Sequence, residues 1–323
     1  MSNSLIFVPP NLSQEGEEDT PEMMMIDADR FSFLTRLFLI LLLIVSGASQ
    51  LPFSRVSAGL GSQRPPETVI FAVSREGDAG NMDAVVIING KHFRQPFTQE
   101  TKDKQTTFAN HYFAAGQSYR LLFGGGDAGS VTVKKWSEGC NSVHAEVMPA
   151  TSVKLGGHVM ALATNSESLG KRASARRAPT DQERAAVINL MRGIYSQHRT
   201  PARMIDSIRI TNLTATDLDG DGKYEMIGSF TEGDKNKFER DLFLIAHQAG
   251  NTMRADLIKF QAYQPPAEGF LSSVDFIDQV DLDGDRIGEI LATQGGFDAY
   301  GFLIFKKVNG RWRQVYEGIG DAC

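Results

Sequence analysis

From Thr68 onward the chain is a series of short apolar runs separated by turn residues. Val69-Ile70-Phe71-Ala72-Val73, Ala84-Val85-Val86-Ile87-Ile88 and Ser118-Tyr119-Arg120-Leu121-Leu122-Phe123 are β-branched or aromatic stretches of strand length. Asn89-Gly90 is a two-residue hairpin signal that leads the second run into Lys91-His92-Phe93. Gly124-Gly125-Gly126-Asp127 reads as a turn into 130–136, and further runs follow at 142–148 and 157–164. The pattern predicts a small all-β domain over 67–164, a sandwich or partly open barrel.

The pattern then changes twice. Residues 165–179 are rich in Ser, Ala and Arg with no apolar period, the composition of a flexible linker. Thr180-Asp181-Gln182-Glu183 is a capping box, with Thr at the N-cap and Glu three residues on. Behind it Ala186, Val187, Leu190, Ile194 and Tyr195 recur at helical spacing, so a helix is expected over 180–198. From 201 to 323 the chain is β again and repeats itself: Asp217 and Asp281 stand 64 residues apart, and Phe243 and Phe302 stand 59 apart. Each unit reads strand, acidic loop, strand, polar loop, strand, tight turn, strand, about the size of a propeller blade. The expected fold class is therefore mainly β, ending in a two-repeat, propeller-blade-like antiparallel β domain.

The acidic loops carry the chemistry. Asp217, Asp219, Asp221 and Glu225 occupy positions 1, 3, 5 and 9 of one loop; Asp281, Asp283, Asp285 and Glu289 occupy the same positions of the other. Like charges this close repel unless a hard cation sits among them. Calcium takes about 6 to 8 oxygens at about 2.3–2.6 Å, so a loop that coils its carboxylates around a point suits it. Position 7, Lys223 or Ile287, is expected to add a main-chain carbonyl. A helix-flanked calcium loop would need a Glu at position 12, where this chain has Gly228 and Ala292. The flanking Met226-Ile227 and Ile290-Leu291 continue as strands instead.

These loops, Asp217 to Glu225 and Asp281 to Glu289, resemble the D-x-D-x-D-G-x-x-[DE] loops of the FG-GAP or VCBS repeat family, over about the last third of the chain. The resemblance implies calcium-stabilised β-blades in a structural, adhesion or recognition role. In the second loop Arg286 replaces the Gly at position 6, which costs about 1 kcal/mol or more if the backbone there is left-handed. Asp-x-Asp-Gly also occurs where an aspartate attacks phosphate. Here Asp221 rather than Ser or Thr follows Gly220, and the string recurs, which a single active site does not need.

Composition adds limits. A net charge of -6 argues against a nucleic-acid surface. The six histidines show no paired metal spacing, and no Gly-x-Ser-x-Gly, Walker or dinucleotide motif is present. Trp312 and Tyr316, on alternate strand positions, are expected to share one face and pack in the core. The apolar run 37–45 follows Arg30 and Arg36 and precedes Ser46-Gly47-Ala48, as in a secretory signal. Residues 1–48 then form a tail with a signal peptide or uncleaved anchor, and 49–66 a polar spacer. Cys140 and Cys323 could pair after export. The expectation is an exported, periplasmic or secreted, non-enzymatic protein that binds Ca²⁺ and an unknown protein or glycan partner. It touches a membrane only through an uncleaved N-terminus. A hydrolase or lyase with accessory repeats, and a membrane-anchored interaction protein, are the alternatives.

Overall fold

The structure is a computed structural model that describes residues 67–77, 79–97, 102–234, 237–262, 273–296 and 299–322, with backbone alone at 234 and 237–239. The expected signal segment 37–45, the spacer 49–66 and Cys323 lie outside the described residues. Residues Gln63–Cys323 form one compact unit. No helix among the described residues is long and apolar enough to cross a membrane.

The first part is a barrel. Its strands are β1 (Thr68–Glu76), β2 (Ala79–Asn89), β4 (Ser118–Phe123), β5 (Gly126–Glu138), β6 (Val143–Ala150) and β7 (Ala161–Thr164), with β3 (His92–Arg94) appended to β2. They pair antiparallel in the order β1-β7-β4-β5-β6-β2, and β2 pairs back onto β1, so the barrel is closed rather than open. Closure removes the edge strands that a sandwich would expose. One face of β1, with Val69, Phe71 and Val73, points into the barrel, where Phe108 and Phe113 pack from α1 (Lys102–Tyr112) and the residue after it. Helix α1 gave no periodic signal, because of its eleven residues only Gln105, Phe108 and Ala109 are buried.

The opposite face of β1, with Ile70 and Ala72, is buried too. It packs with Val86 and Leu162 against Ile277, Leu291, Phe302 and Ile304 of the last sheet. Burial on both faces explains why these strands read as unbroken apolar runs rather than as alternation.

The repeats form two antiparallel meanders. The first is β9 (Arg209–Thr216), β10 (Glu225–Asp234), β11 (Lys237–Ala249) and β12 (Thr252–Ala262), with β8 (Arg176–Arg177) added beside β9. The second is β13 (Ser273–Val280), β14 (Glu289–Gly295), β15 (Ala299–Val308) and β16 (Arg311–Ala322). They pack face to face through Ile227, Phe243 and Ile245 on one side and Phe276, Ile290 and Phe305 on the other. The outer face of the first meander is covered by α2 (Asp181–Gln197) and α3 (Ala202–Ile205), through Val187, Met191, Ile194 and Tyr195. Helix, first meander, second meander and barrel are therefore stacked in that order. The capping box forms as expected: Glu183 N–H donates to Thr180 Oγ1 at 3.2 Å, and Thr180 N–H donates to Glu183 Oε2 at 2.7 Å.

Two expectations are corrected. Segment 165–179 is not a free linker. Arg176 is 4% exposed, lies 4.6 Å from the ring centres of both Phe123 and Phe276, and stands 3.4 Å from the fully buried Asp278 carboxylate. Its guanidinium also donates to the carbonyls of Met160 and Ile277. A polar composition concealed one buried, fully engaged arginine. Trp312 and Tyr316 are both buried but do not share a face. Ile304 pairs with Tyr316 while Phe305 pairs with Gln314, so Val315 is bulged and the parity of β16 flips. Trp312 packs between the meanders, whereas Tyr316 packs on the barrel and its hydroxyl donates to Val85 O at 2.9 Å.

Candidate metal centre

Both acidic loops occupy the same place in their meanders, joining the first strand to the second. Their internal hydrogen bonds match. Asp217 accepts from the N–H of Gly220 at 2.8 Å and of Gly222 at 3.0 Å; Asp281 accepts from Gly284 at 2.7 Å and Arg286 at 3.0 Å. Position 7 donates its N–H to position 5 in each, Lys223 to Asp221 at 2.7 Å and Ile287 to Asp285 at 2.9 Å. Position 9 opens the next strand and returns to the loop, with Glu225 accepting from Leu218 N–H at 3.1 Å and Glu289 from Leu282 N–H at 2.7 Å. The backbone at positions 4 and 6 is left-handed in both: φ is +75° at Gly220, +81° at Gly222, +81° at Gly284 and +73° at Arg286. The Arg286 departure therefore falls where glycine is favoured.

This coiling gathers the carboxylates. Asp217, Asp219 and Asp221 each offer an oxygen within 4.8 Å of the others, and so do Asp281, Asp283 and Asp285. Glu225 and Glu289 lie behind these triplets, holding the loop backbone. Burial pushes both glutamates above the ordinary carboxylate range, and the N–H donated by Leu218 or Leu282 offsets only part of that. The loops touch, with Gly288 N–H donating to Leu218 O at 2.7 Å. They border a cleft of about 410 Å³ whose lining includes Asp217, Asp281, Gly124, Gln279, Lys171 and Arg172.

The loops differ in the cations they already hold. In the first, Lys223 Nζ donates to Asp221 alone, at 2.8 Å, from a side chain that is 81% exposed. Hydrogen bonding to Asp221 raises the Lys223 pKa, and the same bond lowers that of Asp221. Among the described residues no ion pair reaches Asp217 or Asp219. In the second loop, Lys306 of β15 donates to Asp283 at 2.6 Å, Asp285 at 2.8 Å and Glu289 at 2.9 Å. Burial opposes the Lys306 charge, but the three carboxylates together hold its pKa above the ordinary lysine value. Asp283 Oδ1 is buried without a hydrogen-bond partner.

Lys306 escaped the sequence reading because it is distant in sequence from the loop it serves. The hairpin register places it: Ile290 pairs with Phe305, so Lys306 is the next residue opposite Glu289. The histidines gather no metal set among the described residues. His247 pairs with Asp256 at 2.8 Å, His198 stacks on Phe260, and His144 meets Ser137 at 2.9 Å. Cys140 is disulfide-bonded.

No protein-family model, no curated protein and no solved structure matches the chain.

Proposed function

We propose that the chain is a non-enzymatic calcium-binding protein in which the loop from Asp217 to Glu225 holds a structural Ca²⁺. The observation that carries this reading is the convergence of Asp217, Asp219 and Asp221 within 4.8 Å, with no ammonium among the described residues bridging the three. The resemblance to FG-GAP and VCBS loops supports the choice of calcium, as do the all-oxygen donors. Binding ties β9 to β10 at one end of the first meander and relieves the repulsion between the carboxylates. The ion is thus part of the fold, and the role that follows is structural or recognition, in an exported protein that meets a protein or glycan partner.

Calorimetric titration of the full chain with calcium tests this. The wild-type chain is expected to bind calcium, and Asp219→Asn, which keeps the size and an acceptor oxygen, is expected to weaken binding at least tenfold. A wild-type chain that binds no calcium at millimolar concentration, or an Asp219→Asn chain that binds as wild type does, removes the proposal.

A further inference from the structure

We propose that Lys306 is the resident cation of the second loop, so that its carboxylates are charge-paired without metal and the chain takes up a single divalent ion. The count of one rests on the reading of the first loop given above; the role of Lys306 does not.

An ammonium has three N–H donors. Lys306 spends them on Asp283, Asp285 and Glu289, at 2.6, 2.8 and 2.9 Å. Its charge therefore stands where a metal would draw on these carboxylates. The site is also built around it: the Lys306 side chain is 20% exposed and Glu289 only 1%. A calcium ion entering this loop must evict an ammonium from three charge-assisted hydrogen bonds, each stronger than a neutral one.

Among the described residues the first loop has no such group, and the register of the two hairpins says why. Met226 pairs with Ala246, so His247 is the residue opposite Glu225, as Lys306 is opposite Glu289. His247 turns away to Asp256, at 2.8 Å, and leaves the first loop to other cations. Lys223 does not replace Lys306: it meets one carboxylate, from a side chain that is 81% exposed. One strand position, filled by lysine in one repeat and histidine in the other, thus sets which loop needs a metal.

The test uses the full chain and calcium alone. In the Asp219→Asn background, which weakens the first loop at least tenfold, the chain is expected to keep no calcium binding beyond that remnant of the first site. Adding Lys306→Gln is expected to create one site, at least tenfold tighter than any residual binding, while adding Lys306→Arg instead is expected to create none. In a melt, Asp219→Asn/Lys306→Gln is expected to be less stable than Asp219→Asn in chelator and to regain the difference in calcium. Three results overturn the proposal: an Asp219→Asn chain that keeps a site which Asp283→Asn abolishes, an Asp219→Asn/Lys306→Gln chain that folds but gains no site, or an Asp219→Asn/Lys306→Gln chain whose lost stability calcium does not restore. A wild-type chain without calcium binding, beside an Asp219→Asn/Lys306→Gln chain that binds one ion, removes the reading of the first loop and leaves the role of Lys306 standing.

Discussion

At the scale of single residues the two loops share one design, and two of the differences between them act as edits to it. Positions 1, 3, 5 and 9 carry carboxylates in both, and the hydrogen bonds from positions 2, 4, 6 and 7 repeat between them. The first edit is Arg286, at φ +73° where Gly222 stands at +81°. A side chain in the left-handed region costs about 1 kcal/mol, so Arg286→Gly is expected to raise unfolding free energy by roughly 0.5–1 kcal/mol. Denaturant melts check this, and an unchanged or lower midpoint for Arg286→Gly would show that Arg286 carries contacts worth more than its strain. The second edit, Lys306 for His247, was hidden from the sequence. Carboxylate spacing along a loop is local and legible, whereas a cation supplied by a neighbouring strand depends on hairpin register.

At the scale of elements, what the sequence missed follows from bulges and from polar groups that are buried. Alternation along β16 predicted a shared face for Trp312 and Tyr316, and one bulged residue, Val315, undid it. Strand positions were legible because turns and β-branched runs mark them; bulges leave no such mark. Segment 165–179 shows the second kind of miss. Arg176→Met leaves the Asp278 carboxylate fully buried beside Gly124 N–H without its counter-charge, which is expected to cost about 3–5 kcal/mol. Arg176→Met/Asp278→Leu is expected to recover part of that loss. A stability for Arg176→Met equal to wild type would mean that the pair does not hold the segment.

Asp241 of β11 joins the two meanders, accepting from Val274 N–H at 3.3 Å and from the Thr231 hydroxyl at 3.1 Å. Burial pushes its carboxyl up to about 7 from the ordinary 3.8, and those two donors offset only part of the shift. A folded-state pKa above the unfolded one means that the folded chain holds the proton more tightly. The resulting stabilisation is full below the unfolded value and is lost as pH rises through about 7. In chelator, lowering the pH from about 8 to about 6 is therefore expected to raise the melting midpoint of wild type more than that of Asp241→Asn. Equal pH slopes for the two chains would count against a proton on Asp241.

At the scale of the whole molecule the stack of helix, two meanders and barrel explains both what was readable and what was not. Fold class, the helix at Asp181–Gln197 and the two-repeat plan were legible, because strand-length runs, a capping box and paired acidic loops each have a local signature. The order of the layers was not. The barrel wall facing the second meander is as apolar as the barrel interior, so composition does not tell which surface meets which. The acidic loops emerge at one end of this stack, in contact through Gly288 and Leu218, with the first loop's carboxylates converging free of any bridging ammonium among the described residues. That first loop is the centre of the account, and thermal unfolding of the full chain in calcium and in chelator tests it most directly. At a hundredfold excess of calcium over the wild-type Kd the account predicts about 2.7 kcal/mol of added stability, roughly 5–10 °C in Tm, and at most about half that in Asp219→Asn at the same calcium concentration. A wild-type chain that melts at the same temperature in calcium and in chelator contradicts it.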